Sequence, residues 1–228
     1  MSKAQPTNLP HSVRDRLLAI ARREGIDFNI LLSRYVVERF LYRLSVSQYR
    51  DQFVLKGAML FVVWTGTPHR PTRDLDLLGF GDLSEEQIRE IFAKVFACPV
   101  EPDGLEFDAD SIRVSEIRAE EEYHGRRAKA MVRLGGARVP LQVDIGTGDV
   151  LDPAAEEVTY PVLIDMPAPK LRAYAKETVV AEKLQAMAVL GMPNSRMKDL
   201  YDIRAMAEQF DFDGEVLSKS IASTFKRR

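Results

Sequence analysis

The chain has 228 residues, 46% hydrophobic and 29% charged, and a formal net charge of −2. That length suits one large domain or two small ones, and the near-balance of charge leaves contact with any polyanion to local patches rather than a global field. The single cysteine, Cys98, excludes an internal disulfide and a cysteine zinc site, no apolar run reaches membrane-spanning length, and the first residues lack the apolar core of an export signal, so the expectation is a cytoplasmic protein with no membrane partner.

Residues 1–10 are polar and carry two prolines, which reads as a loose arm. A helix is predicted from Ser12, taken as its cap, through the apolar stripe Val13, Leu17, Leu18 and Ile20 to Gly25. A second is predicted from about Asp27 to Ser45, with Ile30, Leu31, Tyr35, Val36, Phe40, Leu41 and Leu44 at helical spacing. Arg34, Glu38, Arg39 and Arg43 fall between these and read as its solvated side, from which the arginines could also touch phosphate. Phe53-Val54-Leu55, Lys56-Gly57-Ala58 and the apolar run Met59 to Trp64 then read as strand, tight turn and helix. Glycine there lets backbone approach a ligand closely, and a helix N-terminus offers free N–H groups to a phosphate, although an ordinary strand–helix turn has the same residues.

Arg70 to Asp82 holds the most informative stretch, Asp74-Leu75-Asp76-Leu77. A period of two puts both carboxylates on one face of a strand and both leucines on the other. Two anions side by side repel unless a cation lies between them, and oxygen ligands suit hard Mg²⁺ or Mn²⁺. A helix follows from about Ser84 to Ala97, with Ser84 as cap and Gln87 in the capping-box position. Residues 105–146 read as a β region, with strands at 105–107, 112–114, 128–134 and 139–145 and a Gly135-Gly136 turn between the last two. Val143-Asp144-Ile145 places a third carboxylate between strand-forming hydrophobes. Residues 150–170 are proline-rich, with a strand possible at 162–164, and read as a linker. Two helices close the reading, Glu177 to Leu190 and Arg196 to Phe210. The predicted organisation is an N-terminal helical segment (1–50), a core (51–150) and a linker with a helical C-terminal portion (151–228).

In order, strand, glycine turn, helix, D-x-D strand and a later hydrophobe-Asp-hydrophobe strand resemble the nucleotidyltransferase superfamily of polymerase-beta-like and CCA-adding enzymes. Two later stretches, Glu177 to Leu184 and Ser195 to Asp202, together with Leu55-Lys56-Gly57 and Pro71 to Asp76, are similar to the motifs of one branch, the AbiEii/AbiGii toxins that include the mycobacterial MenT proteins. Four separated motifs in order are far more specific than any one of them. The resemblance implies an α+β fold of polymerase-beta-like type, a mixed sheet flanked by helices with a helical C-terminal portion. It implies transfer of NMP from an NTP to an RNA acceptor, most simply the 3′ end of tRNA, and a cognate antitoxin encoded alongside. Carried over residue by residue, Asp74, Asp76 and Asp144 would hold the metal, and Asp74, Asp76, Lys183 and Asp199 would be catalytic. Lys56, Gly57, Ala58, Thr72, Arg73, Lys183, Arg196 and Lys198 would hold the nucleotide. The turn here reads Gly57-Ala58 where the family usually has Gly-Gly or Gly-Ser, which removes a hydroxyl that could bond phosphate.

Other readings of the same residues stay open. Arg126, Arg127, Lys129, Arg133 and Arg138 suit a phosphate backbone or a plain basic strand face, and the helix pair around Lys183 and Asp199 suits a phosphate site or a surface ion-pair network. A binding module of the same fold, or a phosphohydrolase using water as acceptor, would share the acids.

Overall fold

A computed structural model describes residues 8–68, 70, 72, 74–118, 124–149, 151–190 and 197–227. Helix α1 spans Leu9–Glu24 and α2 Phe28–Val46. Asp27 caps α2, accepting from the amides of Asn29 and Ile30. The cap of α1 is Asn8 rather than Ser12, its side chain accepting from His11 N at 3.2 Å. Pro10 sits in the first turn of α1, where its missing N–H costs nothing, so the helix begins earlier than its apolar stripe.

The next elements follow the predicted order: β1 (Phe53–Lys56), a short turn of 3₁₀ helix at Gly57–Met59, α3 (Leu60–Thr65), β2 (Leu75–Gly79) and α4 (Glu85–Phe96). Ser84 caps α4, accepting from Gln87 N at 3.3 Å. Strands β3 (Leu105–Arg118), β4 (His124–Leu134) and β5 (Ala137–Thr147) form a meander, and the two short pieces expected at 105–107 and 112–114 are one strand with a bulge between Asp108 and Arg113. β6 (Glu156–Thr159) and β7 (Lys170–Ala173) precede α5 (Lys176–Leu190), α6 (Met197–Gln209) and α7 (Gly214–Arg227).

Among the described residues the strands form one mixed sheet in the order β3-β4-β5-β2-β1-β7-β6. β2 lies antiparallel to β1 and parallel to β5, and β7 lies parallel to β1. The proline-rich stretch read as a linker therefore supplies β6 to this sheet and β7 begins at its last residue, while 162–164 is not strand. The helix α7, unread in the sequence, packs along α5.

On one face of the sheet Leu75, Leu77, Val139, Leu141, Val143 and Ile145 join residues of α1, α2 and α4 in a continuous core. The expected solvated side of α2 lies inside it: Arg34, Glu38, Arg39 and Arg43 are all buried. Glu38, Arg39 and Arg43 meet groups distant in the chain. Arg43 makes a two-pronged contact with Asp103, Arg39 Nη1 donates to Pro167 O at 2.9 Å, and Glu38 accepts from Leu163 N at 2.7 Å and pairs with Arg39. Removal from water pushes the Glu38 carboxyl up to about 7, against the pull of the Leu163 amide and of Arg39. Helical spacing could not reveal this, because Asp103 and the carbonyl of Pro167 lie far along the chain.

Candidate active site

The sheet register brings the separate sequence signals into one row. Lys56 on β1 lies opposite Asp76 on β2, Asp76 opposite Asp144 on β5, and Asp144 opposite Arg127 on β4. The neighbouring leucines fix this row by entering the core on the other face: Leu75 and Leu77 are fully buried, as are Val143 and Ile145. Asp74 immediately precedes β2 and is exposed, while Asp76 is partly buried. Two carboxylates thus stand as cross-strand neighbours in the middle of the row, with a cation at either end.

The turn after β1 presses onto this pair. Gly57 has φ of +75°, and a Cβ added there would fall 2.7 Å from Asp76 Cγ, so only glycine allows this approach. Ala58 follows as a buried residue. Removal from water, with Asp144 and Asp74 as like-charged neighbours, pushes the Asp76 carboxyl up to about 6 despite the pull of Lys56 and Lys198. Among the described residues neither Asp74 nor Asp76 accepts a hydrogen bond.

Asp144 is held differently. Arg127 Nε and Nη2 donate to its two oxygens at 2.8 and 2.6 Å, and the bond to Asp144 holds the guanidinium above its ordinary pKa. Among the described residues no three acidic, histidine or cysteine side chains already form a closed ligand set. The donors still fit a hard divalent cation, because Asp76 is a desolvated carboxylate without a hydrogen bond beside a second aspartate. Asp144 would join them by exchanging its guanidinium partner.

Lys56, assigned by resemblance to the nucleotide, turns its ammonium toward Asp149 and Glu182, the latter at 3.3 Å. The Tyr174 hydroxyl donates to the same two carboxylates at 3.0 and 3.2 Å. Burial pushes Glu182 up to about 7, with Lys56 opposing and Asp149 adding to the shift. Asp149, Tyr174 and Glu182 were not assigned to the site from sequence; Glu182 falls within the Glu177 to Leu184 motif, and nothing in the local pattern of the other two distinguishes them.

Across the row, Lys183 on α5 donates to Asp199 at 3.0 Å and to Asp202 at 2.8 Å, both on α6. Asp202, whose side chain is fully buried, also receives Arg70 Nε and Nη2 at 3.0 and 3.2 Å. Burial would raise the Asp202 carboxyl, but hydrogen bonds from Arg70 and the charge of Lys183 bring it below its ordinary value. Arg70 leads into the Asp74 strand, so this contact ties that loop to the C-terminal helices. Asp202 was findable, since it follows Asp199 at helical spacing, whereas Arg70 lay in a loop with no periodic signal. Lys198 is exposed at the start of α6, near enough for its charge to act on Asp76. Thr72 is partly buried, and Arg73 and Arg196 lie outside the described residues.

The structure resembles the crystal structure of JHP933 from Helicobacter pylori, with a TM-score of 0.54 at 13% identity over 86% of this chain and 78% of that one. It also resembles an H. pylori protein provisionally named as a nucleotidyltransferase, with a TM-score of 0.55 at 15% identity over 88% of this chain and 83% of that one. Both show a shared fold. No curated protein matches the sequence. The family model for the nucleotidyl transferase AbiEii toxin of type IV toxin–antitoxin systems matches residues 39–228, which takes in the acid row, the Gly57 turn and the Lys183–Asp199 pair. The chain belongs to the AbiEii nucleotidyltransferase toxin family.

Proposed function

We propose that this protein is a metal-dependent nucleotidyltransferase of polymerase-beta-like fold, moving NMP from an NTP to an RNA acceptor, the 3′ end of tRNA being the first candidate. The observation that carries this reading is the row Lys56, Asp76, Asp144 and Arg127, with the Gly57 turn laid against Asp76. Asp74, Asp76 and Asp144 would hold Mg²⁺ or Mn²⁺. Such ions, when bound, neutralise charge on the attacking and leaving oxygens of an in-line displacement.

The remaining chemistry belongs to the chain. In the transfer, an acceptor hydroxyl oxygen bonds to the α-phosphorus, the bond to the bridging oxygen breaks, pyrophosphate leaves and the hydroxyl proton is released. Lys183 spends two of its three N–H donors on Asp199 and Asp202 among the described residues, which fixes its ammonium and leaves the third for a phosphate oxygen. Asp199 then serves to aim Lys183. Gly57 keeps backbone close to the acids, and Lys198 adds positive charge at the rim. Lys56, held by Asp149 and Glu182, puts positive charge beside Asp76 at the start of the turn. The antitoxin partner follows from membership of a toxin–antitoxin family.

The test is incubation of purified protein with each labelled NTP, Mg²⁺ and total tRNA. Labelled RNA supports transfer, released phosphate points to hydrolysis, and neither product leaves a binding module. Asp74→Asn and Asp76→Asn should each abolish labelling while the thermal melt stays in place, because side-chain volume is unchanged. Full labelling by purified Asp76→Asn would remove the metal-site reading.

A further inference from the structure

The strand alternation that buries one face of the meander leaves the other open. On β5, Val139, Leu141, Val143 and Ile145 are buried, so Arg138, Pro140, Gln142 and Asp144 share the opposite face. On β4, Ala128, Ala130, Val132 and Leu134 are buried, which puts Arg127, Lys129, Met131 and Arg133 on that same outer face. The register then joins them: Arg127 lies beside Asp144, Lys129 beside Gln142, and Arg133 beside Arg138. β3 adds Arg113 opposite Lys129, with Asp108 and Glu106 at the far end.

This face begins at the candidate catalytic acids and runs outward from them. From Asp144 to Arg138 is six residues of strand, about 20 Å at the usual rise. Its cations are not consumed by their surroundings. Lys129 and Arg138 are exposed and make no hydrogen bond or ion pair among the described residues. Arg133 makes only a long contact with Asp108 at 3.6 Å and stays half exposed. Arg113 and Arg127 are the exceptions, the first folding back onto the carbonyls of Asp110 and Ile112 and the second held by Asp144. Arg126, one residue from Arg127, projects from the other side of the strand and pairs with Glu116 at 2.8 Å.

We propose that the outer face of β3, β4 and β5 is the track on which the acceptor RNA lies, its phosphate backbone held by Lys129, Arg133 and Arg138 so that its reacting end reaches Asp76 and Asp144. This deepens the transferase reading and rests on it. An acidic protein surface could meet the same cations. Continuity with the site of nucleotide chemistry favours RNA, since a strand anchored 20 Å away and running along the sheet arrives at the acids without a change of direction. Among the described residues no exposed aromatic side chain lies among these cations to stack a base, which leaves contacts to phosphate, and those carry no sequence information.

The experiment compares wild type, Lys129→Glu/Arg138→Glu and Arg126→Glu in the full chain, with bulk tRNA as probe and a graded salt series. The double variant should bind tRNA at least tenfold more weakly, and the slope of log affinity against log salt should fall by about 2, one for each lost phosphate contact. Its affinity for NTP with Mg²⁺ should be unchanged, and Arg126→Glu should bind tRNA like wild type. Unchanged tRNA affinity in the double variant overturns the proposal. So does equal loss in Arg126→Glu, which would mean a diffuse charge effect, and so does displacement of tRNA from the wild type by polyglutamate at equal charge concentration, which would assign the face to an acidic protein. The two readings fail separately: tRNA held by this face but never labelled removes the transferase and keeps the track, whereas labelling that ignores the double variant does the reverse.

Discussion

Gly57 shows how one missing side chain organises this site. Its φ of +75° and the closeness of Asp76 leave no room for a Cβ. Gly57→Ala should cost about 1–2 kcal/mol from the left-handed backbone alone, or roughly 2–8 °C in melting temperature for a chain of this size. The carboxylate of Asp76 must also shift, and a displacement of that kind near reacting atoms costs on the order of 100-fold in rate. Both readings are direct: a thermal melt and single-turnover labelling of RNA. A Gly57→Ala protein that melts and labels like wild type would show that the turn stands clear of Asp76. At the other side of the site, Lys183→Ala should lose about 2–4 kcal/mol of transition-state stabilisation. Lys183→Arg should recover little, since a planar fork does not replace a compact ammonium seated between Asp199 and Asp202.

Between elements, the contact that couples the halves of the site is Arg70 on Asp202, joining the loop before β2 to α6. Arg70→Gln leaves a buried carboxylate with fewer donors and should cost roughly 1–3 kcal/mol of stability, with nucleotide binding weakened because Lys183 shares Asp202. Calorimetric titration with a non-hydrolysable NTP reads the second effect, and Asp202→Asn in the same background should restore part of the stability by removing a buried charge that has lost one of its cations. A melt lowered further by the second change would contradict this account. The sequence made the acid row legible because a period of two is independent of tertiary context: Asp76 and Asp144 could be assigned to strands from their hydrophobic flanks alone, whereas Asp74, expected on the same strand, falls one residue before it. Lys183 and Asp199 were legible only through resemblance, and Arg70 was not legible, because a loop residue declares its partner only in three dimensions. The strands β6 and β7 were hidden by the prolines around them, whereas α7 was legible, since Leu217, Ile221 and Phe225 repeat at helical spacing, and was left unread. The charged side of α2 misled for a related reason: periodicity reports which residues share a face, and says nothing of whether that face meets water or Asp103.

At the scale of the whole molecule, the buried charges of α2 tie stability to pH. The Glu38 carboxyl rises from 4.5 to about 7 on folding, so the folded chain binds its proton more tightly than the unfolded one. That term favours folding at low pH and is lost as pH rises from about 4.5 to 7, to a total of up to about 3 kcal/mol. Urea denaturation at the two ends of this window should show wild type losing more stability than Glu38→Gln, and parallel losses would sink the assignment. The sheet order has a consequence of another kind, in the timing of synthesis. β1 at residues 53–56 has one neighbour, β2, close behind it, but its other neighbour is β7 at residues 170–173. Until the ribosome has passed that point the apolar edge of β1 is bare, a template for unwanted pairing, and Lys183 has not yet been made. A chain cut short at about residue 150 should therefore collect as insoluble material with no transferase activity. The toxin's own architecture thus withholds activity from unfinished copies until β7 and the helices that carry Lys183 and Asp202 have been translated.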